Sequence, residues 1–240
     1  MKNVQIDSRI GILTGTLVSP ENKSNGKAVL FIHGWESSQE GYIPRAQALA
    51  ALGFTCLTFN LPGHGTSEGD MKTLTRREYL DCTISAYDYL ANQEQVHKEY
   101  VGVVGASFGA YLGALLTKER LVQWLVLRAP ANYEDEGFET LSQRTFRYEH
   151  PDMVAWREKV LDYTETVALE AIHAYKNEIL IVESEKDIIV PHQSVENYLH
   201  AVSNPAKLTH IVMKNADHQL STEEQKEEFI RILVAWFKHA

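Results

Sequence analysis

The sequence predicts an α/β protein: a mostly parallel β-sheet with helices on both faces and one insertion. Two observations carry that expectation. Short β-branched and apolar runs alternate with longer helical patterns along the chain. The inner runs, such as Ala28-Val29-Leu30-Phe31-Ile32, are apolar throughout, as strands covered on both faces must be. At 240 residues, 44 % hydrophobic and 23 % charged, the chain can bury one substantial core.

The elements follow in order. Residues 4–6 and 12–18 read as an opening pair of strands, and Pro20 to Gly26 as a surface turn. Residues 28–32 are a strand, 44–52 a helix closed by Gly53, and 55–59 the next strand. A long amphipathic helix covers 74–92, followed by a strand at 101–104, a helix at 108–117 and a strand at 124–127. Later come a strand at 179–182, a helix at 194–202, a strand at 208–212 and a last helix at 222–238. Between 133 and 174 no strand is visible, only helical stretches at 152–162 and 167–174 and many aromatic residues. About 40 residues exceed a simple crossover, so this interval is expected to run across the carboxyl edge of the sheet as a lid. With no linker and no repeat, 1–240 is expected to be a single domain.

Composition narrows the partners. A net charge of −9, from 32 acidic and 23 basic residues, disfavours phosphate backbones and anionic membranes. Cys56 lies in an apolar run and Cys82 in a predicted helix, the pattern of two reduced, buried thiols. The opening MKNVQIDSRIGILTG lacks a signal-peptide core, and no window approaches about 18 apolar residues. The expectation is a cytoplasmic protein acting on a small molecule, with its oligomeric state left open.

The pattern Gly-x-Ser-x-Gly occurs twice, at Gly105-Ala106-Ser107-Phe108-Gly109 and at Gly65-Thr66-Ser67-Glu68-Gly69, so the pattern alone decides nothing. Context does. A nucleophilic serine of this kind needs a buried strand before it and a helix after it, so that a strained turn lifts the hydroxyl above the sheet. Ser107 has both; Ser67 follows a loop and precedes no apolar helix. A serine hydroxyl also needs a base oriented by an acid. Of ten histidines, His218 lies in a polar loop just past the last predicted strand, whereas His210 is inside that strand and His239 is at the terminus. The acid should leave the end of the strand before it. Asp187 is preferred there, with Glu185 as rival and Glu183 too close to the strand. For the oxyanion, one amide is that of Phe108 and another that of Trp35, on the turn His33-Gly34-Trp35, where His33 is read as fixing the loop. Neither a metal-binding nor a complete nucleotide-binding pattern occurs, so no cofactor is expected.

Together these pieces resemble the α/β-hydrolases, and more narrowly the compact short-lid cytosolic esterases of the cinnamoyl or feruloyl type. The resemblance rests on His33-Gly34-Trp35, the loop from Pro62 to Ser67, the elbow at Ser107, Asp187 with Val190-Pro191, and Asp217-His218. It implies an α/β-hydrolase fold, a structural role for the Pro62 to Ser67 loop, and a serine carboxylic-ester hydrolase working through an acyl-enzyme. Thioesterases and small peptidases share the same pieces, and a non-catalytic binding module of this fold is the reading from another class. Within the lid, Phe138, Phe146, Tyr148, Trp156 and Tyr163 offer aromatic surface for a substrate or for packing. Arg128, at a strand end, would pair with an anionic substrate group or with a nearby carboxylate.

Overall fold

An all-apolar strand stays dry only if both faces are covered, and that requirement shapes the whole molecule. The computed structural model describes residues 1–139 and 155–239. Among them, β3 (Ala28–Ile32), β4 (Thr55–Phe59) and β6 (Trp124–Arg128) are buried at every position, as is β5 (Val101–Ala106). Alternate side chains divide between two cores, as the two-residue period of a strand requires. Val29, Phe31 and Val104 pack with the helices Ile43–Ala50 and Glu223–Phe237. Leu30, Ile32 and Val103 pack with Arg76–Ala91, Phe108–Glu119, Val167–Ala174 and His192–Ala201.

The antiparallel pair β1 (Lys2–Ser8) and β2 (Gly11–Val18) begins one edge, and β7 (Glu178–Ser184) and β8 (Leu208–Met213) complete the other. The eight strands run in the order β1-β2-β4-β3-β5-β6-β7-β8. From β4 across to β8 neighbours are parallel. This is the α/β-hydrolase fold. Ile32, the last residue of β3, stands opposite Gly105, so β5 runs one residue further. From there the chain turns toward β4 after β3 but toward β6 after β5. Loops leaving in opposite directions open a crevice at the carboxyl edge, where α/β sheets bind ligands.

Local signals set the helix ends. Thr75 and Glu78 form a capping box before Arg76–Ala91, and Thr222 and Gln225 form one before Glu223–Phe237. Gly53, at φ 95°, closes the first helix: its N–H and that of Phe54 return to the carbonyls of Ala50 and Leu49. Of the interval expected as a lid, 133–174, residues 140–154 lie outside the described residues. Val167–Ala174 is a crossover helix of the body, packed on Phe108–Glu119 and His192–Ala201 through Leu169 and Ile172. Of the helix expected at 152–162, residues 155–157 are helical and 158–162 are not, while 152–154 lie outside the described residues. Tertiary bonds override periodicity there: Leu161 N–H donates to Asn197 Oδ1, and Asn197 donates back to the Lys159 carbonyl.

Cys56 and Cys82 are buried free thiols, and burial pushes the Cys82 thiol up to about 11. Among the described residues, no helix is long and apolar enough to cross a membrane.

Candidate active site

Between β5 and its helix the chain must reverse within one residue. Ser107 makes that turn at φ 54° and ψ −117°, a conformation that costs an L-residue about 1–3 kcal/mol. The neighbours hold it there. Ser107 N–H donates to the Arg128 carbonyl at 2.9 Å, and the Ser107 carbonyl accepts from the amides of Ala110 and Tyr111 at 3.0 and 3.2 Å. The flanking glycines provide room rather than unusual dihedrals. A Cβ on Gly105 would lie 2.3 Å from the Gly109 carbonyl oxygen, and one on Gly109 would lie 2.2 Å from that of Ile32. Without side chains at both, the helix can press onto β3 and β5.

Two loops from the far end of the sheet reach the same point. His218 follows β8, and its Nε2 lies 3.1 Å from Ser107 Oγ while its Nδ1 lies 2.7 Å from Asp187 Oδ2. Asp187 Oδ1 is held by the amides of Ile189 and Val190 at 2.9 and 2.8 Å. An ionised carboxylate only accepts, so Nδ1 carries the imidazole proton and Nε2 is left to accept from the serine hydroxyl. Glu185, the rival acid, is engaged elsewhere: Lys214 Nζ binds one of its oxygens at 2.9 Å and the Asn215 amide the other at 2.8 Å. Those bonds hold its carboxyl below the usual range.

The turn after β3 completes the site. A Cβ on Gly34 would be 3.3 Å from Ser107 Cβ, so the turn passes beside the nucleophile. The Gly34 carbonyl accepts from His33 Nδ1–H at 2.7 Å and from the Ser37 amide at 3.3 Å. Because a trans peptide points its N–H opposite to its C=O, these bonds also fix the direction of the Trp35 amide. The other nitrogen of His33 accepts from the Leu61 amide at 2.9 Å. His64 does the same from the opposite loop, donating to the Pro62 carbonyl at 3.0 Å and accepting from the Glu36 amide at 3.2 Å. Burial pushes the His33 pKa down to about 3 and lowers that of His64, so both rings are neutral braces. The Trp35 ring packs edge-on to His64, Tyr79 and Phe108 at 5.2, 5.5 and 5.7 Å. Phe108, the other expected oxyanion donor, opens the helix immediately after Ser107.

Arg128 is 6 % exposed, and its guanidinium donates inward to the His218 carbonyl at 2.7 Å and to Ser184 Oγ at 3.3 Å. Its hydrogen-bond partners are a hydroxyl and a main-chain carbonyl, not the carboxylate that the sequence suggests. Trp156 is a core residue at 7 % exposure, and Tyr163 stacks on His173 at 3.7 Å. Phe138 is half-buried, with its carbonyl accepting from the Arg77 amide at 3.2 Å. Phe146 and Tyr148 lie outside the described residues. Ser67 spends its hydroxyl on the main chain, donating to the Asn60 carbonyl at 2.8 Å and accepting from the Thr14 amide at 2.9 Å.

Arg76 is a support that the sequence does not reveal. It is fully buried, donates to Tyr111 Oη at 2.9 Å and to the carbonyls of Glu134 and Gly137, and lies over the rings of Tyr111, Tyr133 and Phe138. No sequence signal marks it, since an arginine beginning an amphipathic helix reads as solvated. Among the described residues, no group of three or more His, Cys, Asp or Glu side chains could hold a metal ion.

A serine, an imidazole and a carboxylate bonded in series at the carboxyl edge of this sheet define a serine hydrolase of the α/β class. The chain belongs to the prolyl oligopeptidase family, whose profile matches residues 41–240. It is 24 % identical over 219 residues to an uncharacterized protein of Mycobacterium tuberculosis, covering 90 % of this chain and 72 % of that one. A thermostable monoacylglycerol lipase from Bacillus sp. is 30 % identical over 108 residues, 45 % of this chain and 41 % of the lipase. The fold matches that of Est1E from Butyrivibrio proteoclasticus, solved with ferulic acid bound, at a TM-score of 0.80 and 18 % identity over 98 % of both chains.

Proposed function

We propose that this serine hydrolase cleaves carboxylic esters through an acyl-enzyme on Ser107. The observation that carries the reading is the relay from Ser107 Oγ through the His218 ring to Asp187, at 3.1 and 2.7 Å. In this mechanism His218 Nε2 takes the hydroxyl proton as Oγ attacks the ester carbonyl, and Asp187 steadies the imidazolium. The amides of Trp35 and Phe108 receive the oxyanion, the first already oriented by the two bonds to the Gly34 carbonyl. His218 then gives its proton to the leaving alcohol, and water attacks the acyl-enzyme by the same route. The likeness to a ferulate-binding fold and to a monoacylglycerol lipase supports an ester over an amide.

Membership of the prolyl oligopeptidase family favours peptide hydrolysis as the second reading. A panel of p-nitrophenyl acyl esters beside alanyl and prolyl p-nitroanilides separates the two. Ester turnover that disappears in Ser107→Ala supports the proposal. Faster turnover of an anilide would replace it with the peptidase reading, and ester turnover surviving in Ser107→Ala would remove Ser107 from the mechanism.

A further inference from the structure

Arg128 is a buried cation whose hydrogen bonds go to neutral groups. Burial disfavours its charge, which the nearby carboxylates of Asp187 and Asp217 offset only in part. An apolar side chain would fill the same place at lower cost, so the guanidinium is explained by what it bonds. Its position in the ladder is fixed, between Ala106 of β5 and Val182 of β7. From there one residue is linked to all three segments that carry Ser107, Asp187 and His218. Its carbonyl accepts the Ser107 N–H at 2.9 Å, and its Nη2 donates to the His218 carbonyl at 2.7 Å. Its Nη1 donates to the hydroxyl of Ser184, whose own carbonyl accepts the Asp187 amide at 3.1 Å.

The loop that carries His218 needs such an anchor. Two of its residues, Asn215 at φ 57° and Leu220 at φ 54°, adopt backbone conformations that L-residues disfavour. Asp217 Oδ1 ties the loop to itself, through the amides of Gln219 and Ser221, and Gln225 holds the Asn215 carbonyl. Neither of these reaches the strand that carries the nucleophile. Arg128 does.

We propose that Arg128 is the positioning residue that sets the distance between His218 and Ser107, with its main chain holding the elbow and its side chain the base loop. The inference rests on the serine-hydrolase reading above. It makes Arg128 matter for the chemical step rather than for substrate affinity. A displaced imidazole loses its alignment with Oγ, and misplacement of about 1 Å costs about a hundredfold in rate. Lysine would keep the charge but cannot reach two acceptors in a fixed fork.

The test compares Arg128→Met and Arg128→Lys with wild type, reading kcat and KM on p-nitrophenyl butyrate and the downfield proton resonance of the His218 Nδ1–H bond to Asp187. The expected kcat loss is about 10- to 100-fold for the methionine variant, with KM within about twofold, and a smaller loss of the same kind for lysine. The resonance should shift or broaden in both while the thermal transition stays cooperative. Wild-type kcat with an unmoved resonance in folded Arg128→Lys would overturn the proposal, and so would a loss carried entirely by KM. Should the methionine variant not fold, the lysine variant decides alone. If wild type turns over no ester, the hydrolase reading fails, while the resonance still decides whether Arg128 positions the imidazole.

Discussion

Two turns of this chain share the pattern Gly-x-Ser-x-Gly and use it in opposite ways. At residues 65–69 the glycines take the unusual backbone, Gly65 at φ 54° and Gly69 at φ 110°, and the serine hydroxyl is spent on the main chain of β2 and the β4 loop. At residues 105–109 the roles are exchanged. The serine takes the strained conformation, and the glycines serve close approach between helix and strands. The same letters therefore make a brace in one place and a poised hydroxyl in the other. What separates them is the buried strand before Ser107 and the helix after it. The two turns also cooperate, because the loop that Ser67 ties down carries His64, which supports the turn beside Ser107.

The largest effect that can break this comparison is on turnover. Ser107→Ala should lower ester hydrolysis by about 10⁴-fold or more, with a thermal midpoint close to wild type, whereas Ser67→Ala should keep its kcat. A comparable loss in both would mean that the second turn takes part in chemistry. Next comes the acid: Asp187→Asn should cost about 10⁴-fold in kcat, and Glu185→Gln less than about twofold, since Glu185 makes no bond to His218 and glutamine keeps an oxygen for the Asn215 amide. Reversal of that order in steady-state kinetics would move the acid to Glu185.

The glycines sharpen the contrast through stability. Gly109→Ala should lower stability by about 3 kcal/mol, because the added methyl meets the Ile32 carbonyl at 2.2 Å. Urea unfolding at wild-type stability would contradict the close-approach role. The smallest expected effect is on pH. The folded His33 pKa, about 3, lies below the ordinary 6.5, so the unfolded chain binds the proton more readily. Stability from this group is complete above pH 6.5 and falls as pH drops toward 3, with about 2 kcal/mol lost by pH 5. Urea midpoints at pH 7 and pH 5 should therefore diverge more in wild type than in His33→Asn, and equal slopes would deny His33 its neutral role.

These particulars explain how much was legible in advance. The inner strands are runs of apolar and β-branched residues, and 28–32 and 55–59 coincide with β3 and β4 because no charged or turn-forming residue interrupts them. Ser107 and His218 could be chosen because each follows a strand that the pattern reveals. The role of Arg128 could not be read, since its shorter hydrogen bond goes to a main-chain carbonyl 90 residues away, which carries no side-chain signature. Nor could Arg76 be, which bonds two carbonyls of the segment after β6. Helical periodicity also could not tell that Val167–Ala174 joins the body, because its apolar face would suit a lid equally well.

Of the two serines, only Ser107 is expected to act as a nucleophile. Incubation with a fluorophosphonate followed by peptide mapping in a mass spectrometer tests it directly. One adduct is expected, on the peptide carrying Ser107, absent from Ser107→Ala and undiminished in Ser67→Ala. No adduct on the folded wild-type chain, or an adduct on Ser67, would contradict it.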